Sequence, residues 1–126
     1  MLDPKIYGTL TPGQMREIKG SDIKGLVALK DICHAARAGA FGVGNQPRCS
    51  GVVNRALETL VTDRLDLVID TLMEELENRA PKTRQELELR NECLAHWNMQ
   101  CGAWPEATKW LVDLVSNEKN LPERID

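Results

Sequence analysis

Cys93 and His96 stand three residues apart, a spacing that puts a thiol and an imidazole on one face of a helix. Cys101 follows five residues later, and Cys33-His34 supplies a second thiol–imidazole pair far back in the chain. Thiolate and imidazole are zinc ligands, and a structural zinc takes about four of them in tetrahedral array. The paired, short-spaced knuckle of such a site is missing here. Cys93 and Cys101 also fall on or beside an apolar stripe, where cysteine behaves as a small hydrophobe. We therefore expect these residues to be ordinary side chains, with no metal and no cofactor.

Cys49 sits beside Arg48 just ahead of a helix start. A positive neighbour and a helix dipole both lower a thiol's pKa and favour nucleophilic chemistry. His34 and His96 are the available bases, but nothing in the spacing brings either one near. The glycines at 39, 42 and 44 precede the same helix. They lack a terminal Gly-Lys-Ser/Thr, a feeding strand and the dinucleotide-binding spacing, so they read as a connection and not as a phosphate cradle. Asp63, Asp66, Asp70, Glu74 and Glu77 form a carboxylate stripe, which we assign to the wet face of a helix. Acid–base catalysis instead needs carboxylates in a pocket that perturbs them. No catalytic residue is assigned, and the expectation is a protein that is not an enzyme.

Two constellations point to binding. Lys24, Lys30, Arg37, Arg48 and Arg55 lie in the first half of the chain and are candidate contacts to an anion or a nucleic acid. Asp22 and Asp31 dilute them, and a pI near 5.4 lacks the basic signature of a dedicated nucleic-acid binder. The span 23–57 does not make a helix-turn-helix, because a twelve-residue break replaces the short turn. Trp97, Trp104 and Trp110 fall across one helical corner. Trp97 and Trp110 sit on inward stripes, whereas Trp104, between Ala103 and Pro105, is the one expected at the surface, where tryptophan is a frequent binding hot spot.

The elements that position these residues are helical. The chain has 126 residues, 42% hydrophobic and 28% charged, with aromatics at only 4%. This is the size and composition of one globular domain, rich in straight-chain residues that keep their freedom in a helix. Residues 1–10 read as an irregular arm. Thr11-Pro12 caps a short helix over 13–19. Ser21-Asp22 starts another, whose apolar residues recur every three and four positions to about residue 38, where Gly39 is expected to end it. Residues 39–50 then read as a long Gly-rich loop.

Ser50 caps a helix over 51–79 of roughly 40 Å. Its apolar stripe is Val53, Leu57, Leu60, Val61, Leu65, Val68, Leu72 and Leu76, widened by Val52, Ala56, Ile69 and Met73. A stripe that wide is touched from two sides. Such a rod is long for its domain, so it either bends near Thr62-Asp63 or projects and pairs with another copy. Pro81 breaks the pattern. Thr83 with Glu86 then opens a helix to Cys101 by a capping box. The last helix begins at Trp104-Pro105-Glu106, with Ala107, Trp110, Leu111, Leu114 and Val115 facing inward. Residues 117–126 read as a polar tail.

The fold class that follows is all-α: a single helical domain over 1–126, a small bundle of three main helices and one or two short ones around a long central helix. Net charge is +3 over residues 1–60 and −6 over 61–126, an asymmetry able to orient association. No apolar run is long enough to span a membrane, no signal peptide is evident, and the cysteines read as free thiols, so a cytoplasmic location is expected. The functional expectation is a self-associating interaction or assembly module, an assembly factor. We expect a homodimer and a protein partner, with Trp104, Leu65, Ile69 and Met73 at the interface. The alternatives are a nucleic-acid-associated protein or a zinc or thiol site.

Overall fold

The computed structural model describes residues 2–46 and 51–125, and every regular element among them is helical. They are α1 (Pro4–Tyr7), α2 (Pro12–Gly20), α3 (Ile23–Gly44), α4 (Val52–Leu57), a π-helical turn (Glu58–Thr62), α5 (Asp63–Asn78), α6 (Arg84–Gln100), α7 (Trp104–Asn117) and a 3₁₀ turn (Glu118–Asn120). None of the described helices is long and apolar enough to cross a membrane.

Local chemistry sets the helix ends. The Thr11 hydroxyl accepts from the Gln14 N–H while the Gln14 side chain accepts from the Thr11 N–H, closing a capping box at α2. Asp22 caps α3 through the Gly25 N–H, and Thr83 caps α6 through the Glu86 N–H. The Glu86 carboxylate reaches one residue further back than a capping box requires, to the Lys82 N–H. At the end of α6, Gly102 takes φ 76°, and the Ala103 N–H turns back to the Asn98 carbonyl at 2.7 Å. Only glycine adopts that left-handed geometry without a steric penalty.

Three expectations are corrected. The first ten residues are not wholly irregular, because Asp3 caps the short α1 ahead of Pro4. Gly39 does not end α3, which continues through Gly42 to Gly44. Glycine weakens a helix by about 1 kcal/mol but removes no hydrogen bond, so it punctuates less firmly than proline. Helix therefore occupies 39–44 of the loop expected over 39–50, a turn follows at 45–46, and residues 47–50 lie outside the described residues. Cys49, Arg48 and the Ser50 cap fall there too.

The rod from Val52 to Asn78 is continuous. Its irregularity is a widened turn: the Glu58 carbonyl accepts the Asp63 N–H five residues on, and also the Thr62 hydroxyl at 3.1 Å. Only the lower half of the rod is enclosed. Ile69, Leu72, Met73 and Leu76 of α5 pack with Ile18 of α2, Ile23 and Leu26 of α3, and Cys93 and Leu94 of α6 in a buried cluster. α7 lies outside this cluster, against α6, with Ala107 buried and Trp110 wedged at the margin.

Polar side chains tie the layers. The Arg79 guanidinium donates to the carbonyls of Lys19 (2.7 Å) and Ser21 (2.6 Å), closing the end of α2 onto the end of α5. Arg90 donates to the Arg79 carbonyl (2.6 Å), the Asn91 side-chain oxygen (2.8 Å) and Asp113 (3.2 Å). Asn91, fully buried, donates in turn to Asp113 and to the Trp110 carbonyl, both at 2.8 Å. Burial pulls the Arg90 guanidinium down from its usual value and Asp113 partly restores it.

Candidate interaction surface

The upper part of the rod and the C-terminal part of α3 form a hairpin that extends beyond the core. On the rod, Val52 and Leu60 are each 72% exposed, Val53 is half exposed, and Val61 is exposed as well. On α3, Ile32, Phe41 and Val43 are exposed. An open cleft of about 230 Å³ runs between the two arms, lined by Phe41 and Asn45 on one side and Leu57 and Thr62 on the other. Arg37 of α3 bridges to Asp66 at the base of the hairpin and lies over the Phe41 ring, 4.6 Å from its centroid.

Val52, Val53, Leu60 and Val61 leave an apolar row open on one arm of the hairpin, the kind of surface that marks an interaction site. The widened turn shapes that face. A residue in an α-helix rotates by 100°, and a residue in a wider turn rotates by less. Positions eight apart across residues 58–62 are therefore brought closer to eclipsed, so that Val52 with Leu60, and Val53 with Val61, share one stripe.

A second apolar stripe lies on α7. Trp104 is 61% and Val115 71% exposed, with Leu111 and Val112 between them. Residues 104, 108, 111 and 115 follow the spacing of a single helical face. Leu111 and Val115 were expected inside. The helix has an apolar arc wide enough for two contacts, and α6 covers only the side that carries Ala107, Trp110 and Leu114.

The other expected interface residues divide. Trp104 is at the surface and Leu65 is half-buried, one helical turn beyond Val61. Ile69 and Met73, at 0% and 5% exposure, do not face outward. They pack with Ile18 of α2, Ile23 and Leu26 of α3 and Cys93 and Leu94 of α6, so these two belong to the chain's own core.

The basic constellation does not converge. Lys30 is 4% exposed, its ammonium 3.6 Å from Asp31 and 5.9 Å over the Trp97 ring, and Arg37 is engaged by Asp66. Lys24 and Arg55 are exposed, on separate helices. The carboxylate stripe is also less open than expected. Asp63, Asp66 and Asp70 are half-buried, Asp66 holds Arg37, and Asp70 accepts from the Leu2 N–H at 3.4 Å.

The thiols and imidazoles stay dispersed, and among the described residues no three His, Cys, Asp or Glu side chains gather as metal ligands. Cys93 is buried at the core and Cys33 borders it, while Cys101 and His96 are exposed. Burial raises both the Cys33 and the Cys93 thiol, with Lys30 opposing the effect at Cys93 and Asp31 adding to it. His34 meets Trp97 edge-on at 6.2 Å, and its buried Nδ1 has no hydrogen-bond partner among the described residues.

No family model, curated protein or solved structure matches this chain.

Proposed function

We propose that this protein is a non-enzymatic helical assembly module that self-associates through the hairpin of α3 and the upper rod, and that presents α7 to a protein partner. The observation that carries this reading is the exposure of Val52, Val53, Leu60 and Val61 on a helix whose lower half buries Leu67, Ile69, Leu72, Met73 and Leu76 in the chain's own core. Burying a large aliphatic side chain is worth about 1.5–3 kcal/mol, so a row of them left open favours association strongly. A stable interface covers about 800 Å² per partner, so the row on the rod would be joined by neighbouring polar surface in such a contact. Two-fold dimers are the commonest closed assemblies, and a dimer is the state proposed.

On the second apolar stripe, Trp104 anchors the surface offered to a different protein. The free thiols Cys33, Cys93 and Cys101 suit a reducing, cytoplasmic setting. A nucleic-acid role is not favoured, since Lys30 and Arg37 are committed within the fold.

Light scattering on a size-exclusion column, over a micromolar dilution series, tests the proposal. The expected mass is twice the 14.1 kDa of the chain, falling toward it only at low concentration. A mass of one chain throughout the series overturns the self-association reading.

A further inference from the structure

Beyond Arg37, α3 carries no polar side chain. Residues 38–44 run Ala-Gly-Ala-Phe-Gly-Val-Gly, about two turns of helix that are non-polar in every direction around the axis. Ala38, Gly39, Phe41, Gly42 and Val43 are all exposed. Phe41 edges the cleft to the rod, and Val43 stands about 200° from it around the helix, on nearly the opposite side. A helix that is apolar all round belongs in surroundings that are apolar all round. A protein partner docked on one face would leave the other face wet.

We infer that this end of α3 lies in the interface of a lipid bilayer that carries anionic lipid. The inference goes beyond self-association and makes no use of the apolar row on the rod. Three observations name lipid as the occupant. The first is the all-round apolar character of 38–43. The second is charge. From Ile32 to Leu57 the chain has no Asp or Glu, although it holds 19 elsewhere, and the formal charges in that stretch are arginines at 37, 48 and 55. An anionic leaflet attracts basic side chains beside an apolar anchor and repels carboxylates. Arg37 is held by Asp66 and lies over the Phe41 ring, whereas Arg55 is exposed on the facing arm and lines the same cleft as Phe41 and Asn45. Arg55 is thus the cation offered to headgroups. Glu58, one turn further along the rod, also lines the cleft and ends the acid-free stretch. The third observation is thickness. With Ala or Gly at most positions of 38–44, this helix is slimmer than the usual ~10 Å, so lying flat it fits the depth of about 5–10 Å that interfacial helices occupy. The contact is interfacial, since no described helix is long and apolar enough to cross a membrane.

Flotation of the full chain with vesicles tests the inference. One set of vesicles is phosphatidylcholine alone, and the other is an equal mixture of phosphatidylcholine and phosphatidylglycerol. The chain is expected to float with the mixed vesicles and far less with the neutral ones. Phe41→Gln/Val43→Gln alters no charge and is expected to weaken binding about tenfold or more. Both positions are open to solvent and glutamine suits a helix, so circular dichroism is expected to show an unaltered fold. Arg55→Glu is expected to weaken binding to the mixed vesicles about fivefold or more at low salt, with a smaller effect at high salt.

A chain that stays at the bottom of the gradient with mixed vesicles overturns the inference, as does equal binding to the two sets. Binding that survives Phe41→Gln/Val43→Gln, or that ignores Arg55→Glu, overturns it as well. If the glutamine variant instead lowers the mass seen by light scattering without lipid, and no vesicle is bound, a protein covers the tip and the inference fails. The two readings separate cleanly. A monomer that floats keeps this inference and ends the self-association reading, and a dimer that does not float does the reverse.

Discussion

Arg90 is the side chain on which the α6–α7 layer most depends. Its guanidinium joins the end of α5 to α7 through Asp113 and the Arg79 carbonyl, and Asn91 completes the network. Removing one partner of a buried charge leaves the other unsatisfied. Asp113→Ala is therefore expected to destabilise the fold by about 2–3 kcal/mol in urea unfolding, whereas a surface substitution such as Glu92→Ala should change it by less than about 0.5 kcal/mol. The thiols give a pH-dependent counterpart. Burial raises the Cys33 and Cys93 pKa values, so the fold prefers their neutral forms. Their contribution is complete below the ordinary thiol range, about pH 8.5, and is lost as pH rises through the higher folded-state values. Stability should decline on that alkaline limb. At pH 8, alkylation followed by peptide mass analysis is expected to modify exposed Cys101 well before Cys93. Equal rates at the two would contradict the burial of Cys93.

At the scale of elements, capping chemistry was the most legible part of the sequence. Thr11-Pro12, Asp22, Thr83 and Trp104-Pro105 mark helix starts that the structure places within a residue or so of expectation. Each depends on a side chain bonding its own backbone, or on a proline fitting a first turn, and so needs no knowledge of the rest of the fold. The end of α3 was not legible. Gly39 and Gly42 carry no Cβ to report on their surroundings, and whether the helix passes through them depends on what lies beyond. A Cβ at either position meets nothing within 4 Å, and neither has positive φ. Gly39→Ala and Gly42→Ala are each expected to stabilise the helix by about 0.5–1 kcal/mol, read as higher melting temperature and helical content. A loss of helicity would mean that α3 ends where its sequence first suggested. Periodicity likewise marked Ile69, Met73, Leu111 and Val115 as apolar-face residues but could not say which neighbour each meets. An apolar arc shows that a contact exists, and only the packing of other helices decides whether this chain or another supplies it.

The whole molecule is asymmetric along its long axis. The enclosed core lies at one end of the rod, and the uncovered hairpin lies at the other. The last residues are fastened at the core end: the Arg84 N–H donates to the Pro122 carbonyl at 2.9 Å, and its Nε to the Leu121 carbonyl at 2.9 Å. Two chains joined head to head at their rods would thus carry their C-termini outward, facing away from each other. Counting the helix rise from Ala56 to Asn78, about 33 Å on each side, the separation would be roughly 65 Å. Fluorophores appended after residue 126 on two chains should then exchange little energy, whereas labels at residue 54 should exchange it efficiently. Such an arrangement would work as a molecular ruler: whatever was attached at the two ends would be held at a set span by helices instead of by a slack tether.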